Sequence, residues 1–109
     1  MTAPTRREKI EAMLKTDPQD QFLRYGLAAE YIVEERFDES LSLYEGLIRE
    51  SPPHVASYFR GAQLLVQLDR VNEARSWLRD GIEIARQQNN AHAASEMAEL
   101  LASLGTAGE

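Results

Sequence analysis

The sequence predicts an all-α protein built as a stack of antiparallel helix pairs, and three observations lead to this fold class. First, a pattern recurs at a separation of 34 residues, since the segment 37–40 is echoed by the segment 71–74. Second, apolar residues between these marks recur three and four apart, as in amphipathic helices. Third, prolines lie between the periodic segments, where helices must end. Each repeat is therefore predicted to be one pair of helices.

The 34-residue offset is supported at several other positions of the chain. The matched pairs are Leu27-Ala28 with Gly61-Ala62, Tyr31 with Leu65, Tyr44 with Leu78, Ile48 with Ile82, and Pro18 with Pro52. Several matches in one register are not expected by chance, and a fixed period of this length is typical of stacked repeats.

The periodicity predicts helices at about 5–16, 20–34, 37–50, 54–68, 71–88 and 90–104. Thr5 followed by Glu8 has the spacing of a capping box, in which two side chains satisfy free amides of a first turn. Asp17-Pro18 and the segment 51–53 contain prolines, which lack the amide donor of a helix interior and restrict the preceding residue. These segments are predicted to be helix ends or first turns.

Composition limits the classes of function that the chain could serve. Its 109 residues fit a single domain, and 12 basic against 18 acidic residues give a net charge of −6. Because the basic residues are few and do not cluster, nucleic acid is not an expected partner. No stretch approaches the roughly 18 apolar residues of a membrane span, and the chain has no cysteine. We expect a cytoplasmic protein without membrane contact.

The repeated residues resemble the tetratricopeptide repeat. The first copy reads Leu27-Ala28-x-x-Tyr31, Ser40-x-x-x-Tyr44 and Pro52, and the second reads Tyr58-x-x-Gly61-Ala62-x-x-Leu65, Ala74 and Leu78. Arg24 stands where the first copy would have tryptophan, and Arg86 where the second would have proline. The resemblance implies a right-handed superhelical stack, or α-solenoid, in one domain over residues 1–109. Its parts would be a half repeat (5–18), two repeats (20–52 and 54–88), a capping helix (90–105) and a disordered tail (106–109).

Small residues in the repeats predict where helices cross most closely. These residues are Ala28, Gly61, Ala62, Ala74 and Ala98. A larger side chain at such a crossing is expected to destabilise the fold by about 1–3 kcal/mol through overpacking. Trp77, next to the packing position Leu78, is expected to lean toward the convex surface as a partly buried packing residue between the second helices of the repeats.

The resemblance also implies a function, because the first helix of each repeat lines a concave groove that binds a protein or peptide. In the predicted groove, the segment 20–34 is apolar, the segment 54–68 carries one polar stripe, and the last helix is acidic. The expected partner-binding residues are Phe22, Tyr25, Ala29, Ile32, Phe59, Arg60, Gln63, Gln67, Glu96 and Glu99. A peptide with an apolar anchor near Phe22, Tyr25 and Phe59, and a basic residue toward Glu96 and Glu99, is the more specific expectation.

Two alternatives concern the helix at 20–34, which is apolar on nearly every side and is expected to be buried on most of them. Its apolar residues could be core, covered by the half repeat. Alternatively, the uncovered side could close by self-association, which predicts a homodimer split by Phe22→Glu.

Catalysis is not expected. His54 and His92 lie far apart without zinc-helix spacing, no serine occupies a Gly-x-Ser-x-Gly turn, and no glycine-rich phosphate loop is present. We therefore expect no catalytic residue, no metal, no cofactor and no small-molecule substrate. Some relatives hold a peptide carboxylate with lysines in the groove, but the only lysines here, Lys9 and Lys15, fall in the half repeat.

Overall fold

The computed structural model describes residues 2–105 and contains six α-helices joined by short turns over that range. The helices are α1 (Arg6–Thr16), α2 (Gln21–Val33), α3 (Phe37–Ile48), α4 (Val55–Gln67), α5 (Val71–Gln87) and α6 (Ala91–Ser103). Each observed bound lies within two residues of its prediction. The all-α helical repeat predicted from the sequence is confirmed, whereas the predicted disordered tail lies outside the described residues.

Side-chain hydrogen bonds cap the starts of α1, α2 and α6. The predicted capping box opens α1: the Glu8 amide donates to Thr5 Oγ1 at 3.1 Å and the Thr5 amide donates to Glu8 Oε1 at 2.8 Å. Asp20 accepts from the Leu23 amide at 2.8 Å at the start of α2, and Asn90 caps α6 in the same way. These bonds satisfy amide donors that a first helical turn leaves without backbone partners.

Three helix ends share one turn geometry, in which the residue after the C-cap has a positive φ. These residues are Glu35 (57°), Asp69 (61°) and Asn89 (59°). In each turn the following amide donates back to a carbonyl five residues earlier, as from Arg36 to Tyr31 at 2.7 Å. This bond satisfies one of the last helical carbonyls. Because the turn is short, α2 packs against α3, α4 against α5, and α5 against α6.

The core lies along the line where these helices meet. Ala28, Ala62 and Ala74 have no exposed surface and Gly61 is buried, which confirms four of the five predicted crossings. The prediction for Ala98 was wrong, because this residue is exposed. In the described part of the chain no helix follows α6, so the side of α6 that carries Ala98 has nothing to pack against. Met97 instead packs into α5.

The expectation that α2 is buried on most sides was also wrong. Only Leu27 and Ala28 of this helix are buried, whereas the side chains of Phe22 and Val33 are 83% and 74% exposed. α1 and α3 cover two sides of α2, and no helix within residues 2–105 covers the side that carries Phe22 and Val33. The apolar character of the segment therefore does not translate into burial.

The helices follow one another in an elongated stack measuring 51 × 29 × 19 Å. Each helix packs against the next along the chain, and α4 also packs against α6. α4 packs beside α6, and α2 faces α4 across a cavity lined by both helices, so the first helices of the successive pairs share one face. Their common face carries the candidate site. How residues 5–105 divide into a half repeat, two repeats and a capping helix stays a prediction.

Candidate binding groove

The face formed by α2, α4 and α6 contains two adjoining cavities. The first, here called the α2–α4 cavity, has a volume of about 410 Å³. It is lined by Ala29, Ile32, Tyr44, Arg60, Gln63, Leu64 and Gln67. Apolar side chains of α2 form one wall, and the arginine and glutamines of α4 form the other.

The second cavity, here called the α4–α6 cavity, has a volume of about 460 Å³. It is lined by Tyr25, Val55, Ala56, Phe59, Arg60, Asn90, His92, Ala93 and Glu96. Its walls combine the aromatic rings of Tyr25 and Phe59 with a polar rim on α6. Arg60 lines both cavities, so the two form one groove with a guanidinium at their junction.

Eight of the ten predicted partner-binding residues line this groove, and two do not. Tyr25, Phe59, Arg60 and Glu96 lie in the α4–α6 cavity, and the other four line the α2–α4 cavity. Phe22 lies outside both cavities, because the first turn of α2 projects its ring into solvent. Glu99 is exposed one turn beyond Glu96, past the end of the second cavity.

Tyr25 is held in the groove by aromatic and ionic neighbours. Its ring meets the Tyr44 ring edge to face at a centroid distance of 5.9 Å, and the His54 ring at 5.1 Å. The preceding residue, Arg24, forms an ion pair with Glu50 and donates to the carbonyl of Gln19 at 2.8 Å. A polar bridge from α2 to the end of α3 thus occupies the place where the repeat would have a tryptophan, and it fixes the first turn of α2.

Sequence reasoning missed Tyr44, which forms the floor of the α2–α4 cavity. This residue was read only as a packing position equivalent to Leu78, and its side chain is indeed almost fully buried. Burial raises the pKa of the Tyr44 phenol to about 12, so the ring stays uncharged at neutral pH. The available signal was that a tyrosine replaces the leucine of the second copy, which places one polar atom in an otherwise apolar packing position.

His54 lies at the start of α4, and its shifted pKa makes the stability of the fold depend on pH. Burial lowers the pKa of the imidazole, and Arg24 acts in the same direction against the opposing effect of Glu50. A histidine whose folded-state pKa lies below its unfolded value binds fewer protons in the folded state, so stability falls as the pH drops through the unfolded pKa of about 6.5. We expect chemical denaturation of His54→Gln to show a shallower loss of stability between pH 7 and 5 than the parent chain.

The control for this prediction is the second histidine, since the side chain of His92 is 87% exposed and lies 3.3 Å from Glu96. Comparing the slope of His54→Gln with that of His92→Gln isolates the effect of burying the imidazole at position 54. Equal slopes for the parent and His54→Gln would show that protonation of His54 is not coupled to folding.

The groove offers binding chemistry in the form of apolar walls and polar rims. Arg60 Nη1 donates to Gln63 Oε1 over a long distance of 3.4 Å, and the Arg60 side chain lines both cavities. Within residues 2–105, no group of three or more His, Asp or Glu side chains could hold a metal ion. Over the same residues, no helix is long and apolar enough to cross a membrane.

Such a stack of helix pairs with a grooved face defines the class of helical repeat proteins. The sequence matches the family model of the tetratricopeptide repeat over residues 31–104. The chain therefore belongs to the tetratricopeptide repeat family. No curated protein matches the chain.

Three solved structures illustrate the similarity of fold. A solution structure of a tetratricopeptide repeat domain protein from Salinibacter ruber is 31% identical with a TM-score of 0.77, over 82% of this chain and 90% of that one. A crystal structure of a tetratricopeptide repeat domain protein from the same organism is 30% identical in sequence, with a TM-score of 0.72. The match covers 79% of this chain and 96% of that one. A solution structure of a Bordetella parapertussis protein shares the fold at 22% identity, with a TM-score of 0.79 over 94% and 89%.

Membership in this family indicates the general role of the chain. Tetratricopeptide repeat proteins are typically non-catalytic scaffolds, and the fold is that of a protein–protein interaction module. The family does not select a partner, because one fold serves many unrelated functions. The residues that line the groove determine which chemical groups a ligand can present to it.

Proposed function

We propose that the groove formed by α2, α4 and α6 binds a peptide segment of another protein. The observation that carries this proposal is that eight of the side chains expected in the groove lie together in two adjoining cavities that share Arg60. Cavities of this size accept a few side chains of a ligand, and apolar pockets with a small number of placed polar groups are typical binding sites.

The chemistry of each cavity indicates which part of the peptide it takes. Phe59 and Tyr25 form an aromatic wall in the α4–α6 cavity, which suits an apolar anchor residue. Glu96 lies on the rim of the same cavity, so a basic residue next to that anchor would gain an opposite charge. A cationic ligand also suits a chain whose net charge is −6.

The junction between the cavities suits the peptide backbone. Arg60, Gln63 and Gln67 lie at spacings of three and four on α4 and present nitrogen donors along the groove. An extended or helical peptide leaves carbonyl oxygens that such donors can bind. These side chains would therefore hold the main chain, while Phe59 selects the anchor.

Selection from a random peptide library tests this proposal. Peptides selected on the parent chain should combine an apolar anchor with a nearby lysine or arginine. The variant Phe59→Ala, Arg60→Ala should bind them at least tenfold more weakly, because it removes the aromatic wall and the shared guanidinium. Affinity is measured by fluorescence anisotropy. Tyr25 is left intact since its ring also packs against Tyr44 and His54.

The matched control carries two substitutions on α5, outside the groove. Ser76 and Arg86 are exposed, so Ser76→Ala, Arg86→Ala should bind the selected peptides within about twofold of the parent affinity. Circular dichroism checks that both double variants fold. Equal binding by the groove variant and the parent would place the binding surface elsewhere and overturn the proposal. The cytoplasmic location stays a prediction from the sequence.

A further inference from the structure

Exposed apolar surface on this protein is concentrated at one end of the stack. Among residues 2–105, the exposed large hydrophobic side chains are Met13 (51%), Phe22 (83%) and Val33 (74%), and all three belong to α1 and α2. Large exposed apolar side chains that cluster are typical of an interaction surface, whereas scattered ones are not. None of these three residues lines a groove cavity.

Three apolar residues of α2, Phe22, Ala29 and Val33, are exposed along one line of the helix, and Gly26 beside that line is half-buried. A helix turns by about 100° per residue. The 11 residues from Phe22 to Val33 therefore make three full turns plus about 20°, so both side chains point to nearly the same side of α2. Gly26 and Ala29 fall within about 40° of the same line. The stripe is therefore Phe22, Gly26, Ala29 and Val33, spaced four, three and four residues apart, which is the spacing of a coiled-coil seam. Gly26 is partly covered by Ile10 of α1, and Ala29 also lines the edge of the α2–α4 cavity.

Met13 of α1 extends the stripe at the end where Phe22 lies. α1 runs antiparallel to α2, with Arg6 Nε 4.0 Å from Glu30 Oε2, and with Ile10 Cδ1 placed 3.7 Å from where a Cβ on Gly26 would be. One further turn of α1 brings Met13 level with Phe22.

We propose that this stripe is the interface of a symmetric homodimer in which α2 packs antiparallel to α2 of a second copy. The sequence of the stripe is self-complementary about a two-fold axis between residues 27 and 28. In that register Phe22 opposes Val33 of the partner subunit, and Gly26 opposes Ala29 of the partner subunit. Large residues meet at both ends and small residues meet at the centre, where the helix backbones approach most closely.

The stripe carries no charge, so two copies of the chain can pair through it although the whole chain is acidic. None of its four residues is ionisable, and the neighbouring Glu30 is paired with Arg6. Two copies with a net charge of −6 each repel one another over most of their surface. A symmetric contact through a neutral stripe brings no like charges of the stripe together.

The area of the stripe sets the expected strength. An aromatic side chain buries about 150–250 Å², so two exposed Phe22 rings alone offer roughly 250–400 Å². With Val33, Ala29 and Met13 of both copies, the total approaches roughly 1,000 Å², which is near the lower limit of specific interfaces. We therefore expect a reversible dimer rather than a permanent one.

Sedimentation velocity over a range of concentrations tests the proposal. The parent chain should shift from monomer to dimer, and Phe22→Glu should be monomeric throughout, because two carboxylates would be buried against apolar residues. The Phe22→Glu, Val33→Lys double variant should recover dimerisation, since only the antiparallel register places each glutamate against a lysine. The matched control is Ala98→Glu, at an exposed site on α6, which should dimerise like the parent.

Disulfide cross-linking tests the register directly, because the chain has no cysteine of its own. A mixture of Phe22→Cys and Val33→Cys chains should form a cross-linked heterodimer on oxidation. Either variant alone should not, since equivalent residues would lie about 16 Å apart, the rise of 11 helical residues. A parent chain that stays monomeric at millimolar concentration would overturn the proposal, as would cross-linking of Phe22→Cys to itself alone. The Phe59→Ala, Arg60→Ala variant should still dimerise, which separates this result from the test of peptide binding.

Discussion

Replacing Gly61 by alanine is expected to destabilise the protein by a net of about 1–2 kcal/mol, although alanine is the better helix former. In a helix interior, glycine to alanine gains about 1 kcal/mol from backbone propensity. A Cβ at position 61 of α4 would lie 2.1 Å from Trp77 Cζ3 and 2.7 Å from Cε3. The indole is wedged edge to face against Tyr58 at 6.4 Å and has to shift. Overpacking of this kind costs about 1–3 kcal/mol or more.

Gly46 provides a control with the same chemical change and the opposite expected sign. This residue lies inside α3, and a Cβ there would have no heavy atom within 4 Å. Gly46→Ala should therefore raise the free energy of unfolding by about 0.5–1 kcal/mol. Thermal denaturation should place the two variants on opposite sides of the parent Tm. A Gly61→Ala variant as stable as Gly46→Ala would show that Trp77 does not pack on Gly61.

Arg75→Met is expected to cost about 2 kcal/mol and to loosen α6 more than the rest of the fold. Arg75 lies in α5 with only 4% of its surface exposed. Its guanidinium donates to Asn72 Oδ1 at 2.6 Å and to the carbonyls of Leu104 and Gly105 at 3.1 Å each. Hydrogen bonds to a charged group contribute about 1.5–3 kcal/mol, and a cation also stabilises the carbonyl end of a helix. Methionine keeps most of the apolar volume while removing the donors.

Amide hydrogen exchange distinguishes a local effect from a global one. In Arg75→Met, the amides of α6 should lose protection by a larger factor than those of α4, because only α6 loses its bonds to α5. Arg86→Met is the control, since Arg86 is exposed on the same helix and should change stability by less than about 0.5 kcal/mol. Uniform loss of protection across all helices would contradict an anchoring role for Arg75.

The sequence predicted some of the contacts between helices and missed others. The 34-residue period identified the crossing residue Ala62, because a small residue recurs at the place where helices must meet. Trp77 was expected between the second helices, yet its ring lies over Gly61 of a first helix. The period marks which side of a helix is apolar, but the direction of a large ring depends on the space that its neighbours leave.

Some of the residues predicted for the groove also line it, and others do not. Tyr25, Phe59 and Arg60 were predicted together because the first helices of successive repeats lie side by side. Phe22 was predicted with them on its apolar character alone, and it lies outside both cavities. Hydrophobicity predicts that a side chain avoids water. It does not identify the surface that covers it.

The sequence by itself determined the class of the fold, the six helices and their order, because helical periodicity, capping residues and prolines act within a few residues of one another. The resemblance of the repeated residues to the tetratricopeptide repeat implied that the first helices share a face. The tertiary structure decided that α2 keeps an apolar stripe in solvent, that Tyr44 forms the floor of a cavity, and that Arg75 fastens α6. Each of these depends on contacts between distant segments, whose presence or absence no local pattern encodes.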